Sequence, residues 1–159
     1  MGKEAKTNAM RMLDRQKIAY EAITYECTEF TDGLHAAEIT GTPVGRTFKT
    51  LVTVGRSGQH YVCVIPIAEE IDLKHAASLA GEKTLEMIHV KELLPLTGYV
   101  RGGCSPIGMK KAFPVLIDSS AADGGQIYIS GGRLGLTLCL KSEDLIRVTG
   151  GKLGSIVRA

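Results

Sequence analysis

Thr47-Phe48-Lys49-Thr50-Leu51-Val52-Thr53-Val54, then Gly55-Arg56-Ser57-Gly58-Gln59, then His60-Tyr61-Val62-Cys63-Val64-Ile65-Pro66-Ile67 is the stretch whose reading decides the architecture. Two runs of β-branched and apolar residues flank a short glycine-bounded connection, the pattern of antiparallel strands joined by a tight turn. A second pair follows downstream, Gln126 to Ser130 and Leu134 to Leu140 around Gly131-Gly132. Helical segments separate the strands. Thr7 caps one through Met10, Leu13 and Lys17; a short one starts at Asp32 and stops at Gly41. Asp72 opens a third, carrying Leu73, Ala76, Ala77 and Ala80, which Gly81 closes, and Ser142 begins the last. Ala19 to Tyr25, Thr84 to His89 and Val115 to Ile117 read as further strands, Val90 to Leu94 as a helical turn, and Ile156-Val157 as a terminal strand. Interleaved helices and strands make this an α/β chain. With two hairpins the sheet must be mixed, which disfavours an open doubly wound parallel sheet.

The 159 residues, 44% of them apolar, suit a single domain spanning residues 1–159 with its own core. A formal net charge of +2 provides no long-range field toward nucleic acid or anionic membrane, so any RNA contact is local or shared with a partner. Cys27, Cys63, Cys104 and Cys139 are widely spaced and lack a C-x-x-C pair, which is neither a zinc pattern nor a disulfide framework. They read as reduced thiols of a cytoplasmic protein. The polar start Met1-Gly2-Lys3-Glu4-Ala5-Lys6 lacks the apolar centre of a secretory signal, and no apolar run approaches the ~20 residues of a membrane span.

Few residues announce chemistry by themselves. Lys49 sits near the start of an apolar strand and has two readings: a lysine on the solvent face, or an ammonium at a pocket mouth that steers a phosphate or polarises a carbonyl. The segment Thr97 to Gly108 is too glycine-rich for an element interior and too apolar at its edges for a disordered linker, so it reads as an ordered functional loop. Gly102, Gly103, Ser105 and Pro106 lie within it. Closely spaced glycines let backbone amides approach a developing oxyanion, but turns that need positive φ produce the same composition. Ser130-Gly131-Gly132-x-x-Gly135 carries the same two readings, ligand wall or tight hairpin. Cys104 with His35, His60, His75 or His89 can in principle pair thiol and base, yet no histidine has a local signature. Walker, GxGxxG and H-E-x-x-H motifs are absent, which argues against nucleotide hydrolysis and zinc peptidase chemistry. No metal and no cofactor are implied.

The order of Ile23-Thr24-Tyr25-Glu26, Phe48-Lys49-Thr50-Leu51, Thr97-Gly98-Tyr99 with Gly102 to Gly108, and Ile127-Tyr128-Ile129-Ser130-Gly131-Gly132 resembles the YbaK/EbsC family of editing proteins associated with prolyl-tRNA synthetase. The resemblance runs over almost the whole chain and includes Asp72-Leu73-Lys74 and Lys110-Lys111. It implies a mixed sheet curled into a partial barrel and flanked by helices. It also implies deacylation of cysteine from mischarged proline tRNA, in trans beside prolyl-tRNA synthetase. Proline and cysteine are close in size, so a synthetic pocket separates them poorly and a second site must sort them. Carried over by position, Lys49 is the essential lysine and Tyr25 the aromatic hydroxyl of the pocket. Gly102 to Pro106 would supply backbone amides, and Ser130 with Gly131 the opposite wall. The substrate's own thiol would attack its ester, leaving orientation and charge stabilisation to the protein. Thr137 departs from the acidic residue common at its position in relatives. Two alternatives stay open: an Ala-tRNA(Pro) deacylase, and a non-catalytic binding or regulatory module of the same fold.

Overall fold

A computed structural model describes residues 6–26 and 33–158, and of residues 33–36 the backbone only. Cys27, Asp32 and the side chain of His35 therefore lie outside the described residues. The deciding stretch forms β2 (Phe48–Gly55) and β3 (His60–Pro66), antiparallel from Phe48 opposite Pro66 to Val54 opposite His60. β4 (Leu85–Met87) adds antiparallel to β2. On the other side β5 (Val115–Asp118) runs parallel to β3, and β8 (Lys152–Gly154) parallel to β5, giving the order β4-β2-β3-β5-β8. A separate antiparallel sheet holds β1 (Glu21–Thr24), β7 (Leu136–Lys141) and β6 (Gln126–Ser130), in the order β1-β7-β6. One parallel bridge, Thr47 to Tyr128, joins the two sheets, which curve around a core without closing into a barrel.

Alternation along the strands assigns the faces. Phe48, Val62, Val64, Val115 and Ile117 from the larger sheet meet Ile127, Ile129, Leu136, Leu138 and Leu140 from the smaller one, with Ala9, Leu13 and Leu145 closing the ends. The outer face of the larger sheet carries Tyr61, Cys63, Ile65 and Leu116 under Ala76 and Ala77. Each large aliphatic side chain removed from water in this way contributes about 1.5–3 kcal/mol.

Five helices are described: α1 (Asn8–Arg15), α2 (Gly33–Thr40), α3 (Leu73–Ala80), α4 (Val90–Thr97) and α5 (Ser142–Thr149). Thr7 caps α1 by accepting the Met10 amide, and Asp72 caps α3 by accepting that of His75. β1, β4 and β7 begin or end one to two residues away from the sequence reading, and three further boundaries differ for a visible reason. α1 stops at Arg15 and does not reach Lys17, whose left-handed backbone (φ 59°) lets the Ile18 amide bond Leu13 and sends Ile18 into the core. α4 continues through Pro95 to Thr97 because the proline removes a single amide near the helix end, where Thr97 Oγ1 donates to the Leu93 carbonyl and the Gly98 amide to that of Leu94. The terminal strand is Lys152–Gly154 and not Ile156-Val157: Asp118 Oδ1 accepts the Ile156 amide and draws that side chain into the core, leaving Val157 a lone bridge to Ile71.

Candidate active site

The connection between β6 and β7 is the hub where most of the singled-out residues meet. Ser130 ends β6, and the Gly131 amide donates to the Leu136 carbonyl (2.8 Å) to start the turn. From one side β1 delivers Tyr25, whose amide donates to the Gly135 carbonyl (2.9 Å). From another, the loop after α4 brings Gly103 so close that a Cβ there would lie 2.8 Å from the Arg133 carbonyl carbon. Gly132 occupies φ +105°, and a side chain on it would meet Thr7 and Tyr99. The two glycine segments are thus glycine-rich first because they pack on each other.

Packing also limits what the loop can offer. The Gly103 amide is already given to the Val100 carbonyl (2.9 Å), whereas the amides of Gly102, Cys104 and Ser105 have no backbone acceptor among the described residues. Ser105 is fully buried, and its hydroxyl accepts the Ile107 amide (3.3 Å), so its side chain supports the loop from within. Tyr99 braces the same loop by donating to the Ile107 carbonyl (2.7 Å), and burial pushes its phenol up to about 12. Pro106 is buried beside them and also borders a cleft of about 110 Å³ lined by Ile107, Met109, Phe113 and Val148.

Lys49 reaches the hub through the other sheet. The Thr47–Tyr128 bridge is parallel, so Lys49 and Ser130 each stand two residues beyond it, level with one another where no further bridge joins the strands. Alternation puts both on the outer face, away from the sandwich core. Lys49 is half-buried, and its ammonium has no hydrogen bond or ion pair among the described residues. The Ser130 hydroxyl is buried and likewise unpartnered. A buried polar group left unsatisfied costs about 1–3 kcal/mol, so such an orphan in a native fold calls for a role. Thr50 holds a second orphan hydroxyl, in the inward row with Phe48 and Val52. It is a candidate the sequence reading passed over; the only signal was a hydroxyl breaking an apolar row. Thr137 lies directly opposite Ser130 and is buried.

Residues 32–148 match the sequence model of the aminoacyl-tRNA editing domain. The chain belongs to the aminoacyl-tRNA editing domain family. It is 44% identical over 156 residues to an Enterococcus faecalis protein described as a candidate Cys-tRNA(Pro)/Cys-tRNA(Cys) deacylase, EbsC, covering 96% of this chain and 94% of that protein. Among solved structures it is similar to a candidate trans-editing enzyme for prolyl-tRNA synthetase, with TM-score 0.84, 23% identity, and coverage of 98% of this chain and 100% of the other. It is also similar to the uncharacterised protein APE2540, with TM-score 0.86, 21% identity, and coverage of 95% and 99%. At those identities the structural likeness carries the fold alone. As a member of the editing domain family the protein is a hydrolase of the ester linking an amino acid to tRNA. No described helix of this editing domain is long and apolar enough to cross a membrane.

Proposed function

We propose that this editing domain, acting as one unit over residues 1–159, removes cysteine from Cys-tRNA(Pro) in the cytoplasm, in trans beside prolyl-tRNA synthetase. The observation that carries the reading is the half-buried Lys49 ammonium, unpaired among the described residues and level with the orphaned Ser130 hydroxyl. A cation and a hydroxyl held without partners form a preorganised place for an ester carbonyl as it gains charge. In this reading Tyr25 and the backbone amides of Gly102 and its neighbours are the further partners of the substrate, and Gly103, Ser105, Pro106 and Gly131 support them.

In this mechanism the substrate supplies the nucleophile. Its thiol sulfur bonds to its own ester carbonyl carbon, the bond from that carbon to the ribose oxygen breaks, and the thiol proton ends on the departing ribose hydroxyl. The cyclic thioester that results takes up water and opens to free cysteine. Lys49 stabilises the tetrahedral oxyanion, and the walls hold sulfur and carbon at attack distance. The described cysteines fit a supporting part: Cys63 and Cys104 are buried, with thiols pushed up by burial to about 11 and about 12.

The test is release of labelled amino acid from charged proline tRNA. Lys49→Ala should lower the rate by about a hundredfold or more, the scale of one lost oxyanion partner, with an unchanged circular dichroism spectrum. Lys49→Arg should also be poor, because a planar fork does not occupy an ammonium's position. Cysteine-charged tRNA should be cleared faster than alanine-charged or serine-charged tRNA, which lack the thiol. Undiminished hydrolysis by Lys49→Ala sinks the site, and preferred release of alanine sinks the substrate assignment.

A further inference from the structure

Thr7 stands at the first turn of α1, far in sequence from the β6–β7 connection, yet its hydroxyl does two jobs at once. Its oxygen accepts the Met10 amide (3.2 Å), which caps α1, and its proton is given to the Gly131 carbonyl (2.6 Å). Gly131 is thereby held at both ends: its amide by Leu136 of β7, its carbonyl by Thr7. Gly132 packs directly on the same side chain, since a Cβ on it would lie 3.0 Å from Thr7 Cβ. The residue immediately before this clamp is Ser130, whose buried hydroxyl is unpartnered.

We infer that Thr7 is a positioning residue of the editing site, fixing the Ser130-Gly131 wall through its hydrogen bond to the Gly131 carbonyl. The inference rests on the proposed site. A hydroxyl has one proton, and helix capping uses only the oxygen, so the capping role and the positioning role separate chemically. Thr7→Ser keeps both. Thr7→Asp keeps an acceptor for the Met10 amide but, ionised, has no proton for Gly131. A wall that loses its anchor shifts by fractions of an ångström, which lowers the rate of a step that depends on near-attack geometry more than it weakens substrate binding.

The experiment compares wild type, Thr7→Ser and Thr7→Asp by deacylation kinetics, thermal unfolding and amide hydrogen exchange. Thr7→Ser should stay within about twofold of wild type in kcat. Thr7→Asp should keep its unfolding temperature within a few degrees, lose about tenfold in kcat with KM little changed, and exchange the Gly131 amide, which donates to the Leu136 carbonyl, faster. Wild-type kcat in Thr7→Asp, or an equal loss in Thr7→Ser, overturns the inference. So does unchanged exchange in the turn, whatever the activity. A wild-type protein that hydrolyses no charged tRNA overturns the proposed function instead, and the exchange comparison then still decides whether Thr7 anchors the turn.

Discussion

Cys104 is packed against Val52 and Tyr99, and at a pKa of about 12 its thiol keeps its proton at neutral pH. Thiolate, not thiol, is the nucleophile, so Cys104→Ser should leave turnover within about threefold of wild type; loss near a thousandfold would restore the cysteine-hydrolase reading. Gly103 is the opposite case. A methyl group there meets the backbone of Arg133 at 2.8–2.9 Å, so Gly103→Ala has to push the loop away from the β6–β7 turn and should lower both unfolding temperature and kcat, measured side by side. Single residues were the least legible scale of the sequence. On spacing alone Lys49 reads first as a surface lysine and only the resemblance favours a pocket, and the glycines are ambiguous between ligand approach and turn, where the structure adds loop-on-loop packing. Thr50 left only a hydroxyl in an apolar row, and the second bond of Thr7 left no trace, because whether a hydroxyl is orphaned or shared depends on chain segments remote in sequence.

Elements were more legible, since hairpins, caps and apolar alternation are local signals. The pairings of β2 with β3 and of β6 with β7 followed from composition and turn residues; the crossing partners, β1 with β7 and β5 with β3 and β8, did not, because register between distant strands has no local mark. The β2–β3 turn shows a further non-local contact. Glu82, just after α3, accepts from the Ser57 hydroxyl and amide and from Tyr61 Oη, with its carboxylate lying over Gly55. These bonds, that of the Ser57 hydroxyl foremost, hold the Glu82 pKa below its ordinary value. A depressed carboxylate pKa means that the unfolded chain binds more protons, so this contribution is present above the unfolded value of about 4.5 and is lost as pH falls through the folded one. Unfolding temperatures followed from pH 6 to pH 3 should accordingly fall less steeply in Glu82→Gln than in wild type; parallel curves would show that the carboxylate is unimportant. In the core, Leu138→Ala should destabilise the fold by about 2–5 kcal/mol in urea titration, because Leu138 is fully buried between the sheets.

At the scale of the whole molecule, a net charge of +2 argues that the isolated chain holds tRNA weakly and discriminates poorly among tRNA bodies carrying the same amino acid. A synthetase already gripping proline tRNA can present its charged end and raise the local substrate concentration. Adding prolyl-tRNA synthetase at moderate salt should therefore increase both the rate at low substrate and the preference for proline tRNA; equal selectivity without it would locate specificity in this chain. The bond between Thr7 and Gly131 has a consequence in time as well. The two residues are 124 positions apart, and β1 pairs with β7 across a similar span. A ribosome adds about 5–20 residues per second, so roughly 6–25 s pass between the synthesis of Thr7 and that of its partner. Throughout that interval β1 lacks the strand it pairs with, whereas the β2–β3 hairpin that shares a core with Leu13 is already made. The Thr7–Gly131 bond and the β1–β7 pairing can therefore close only once β7 has been made.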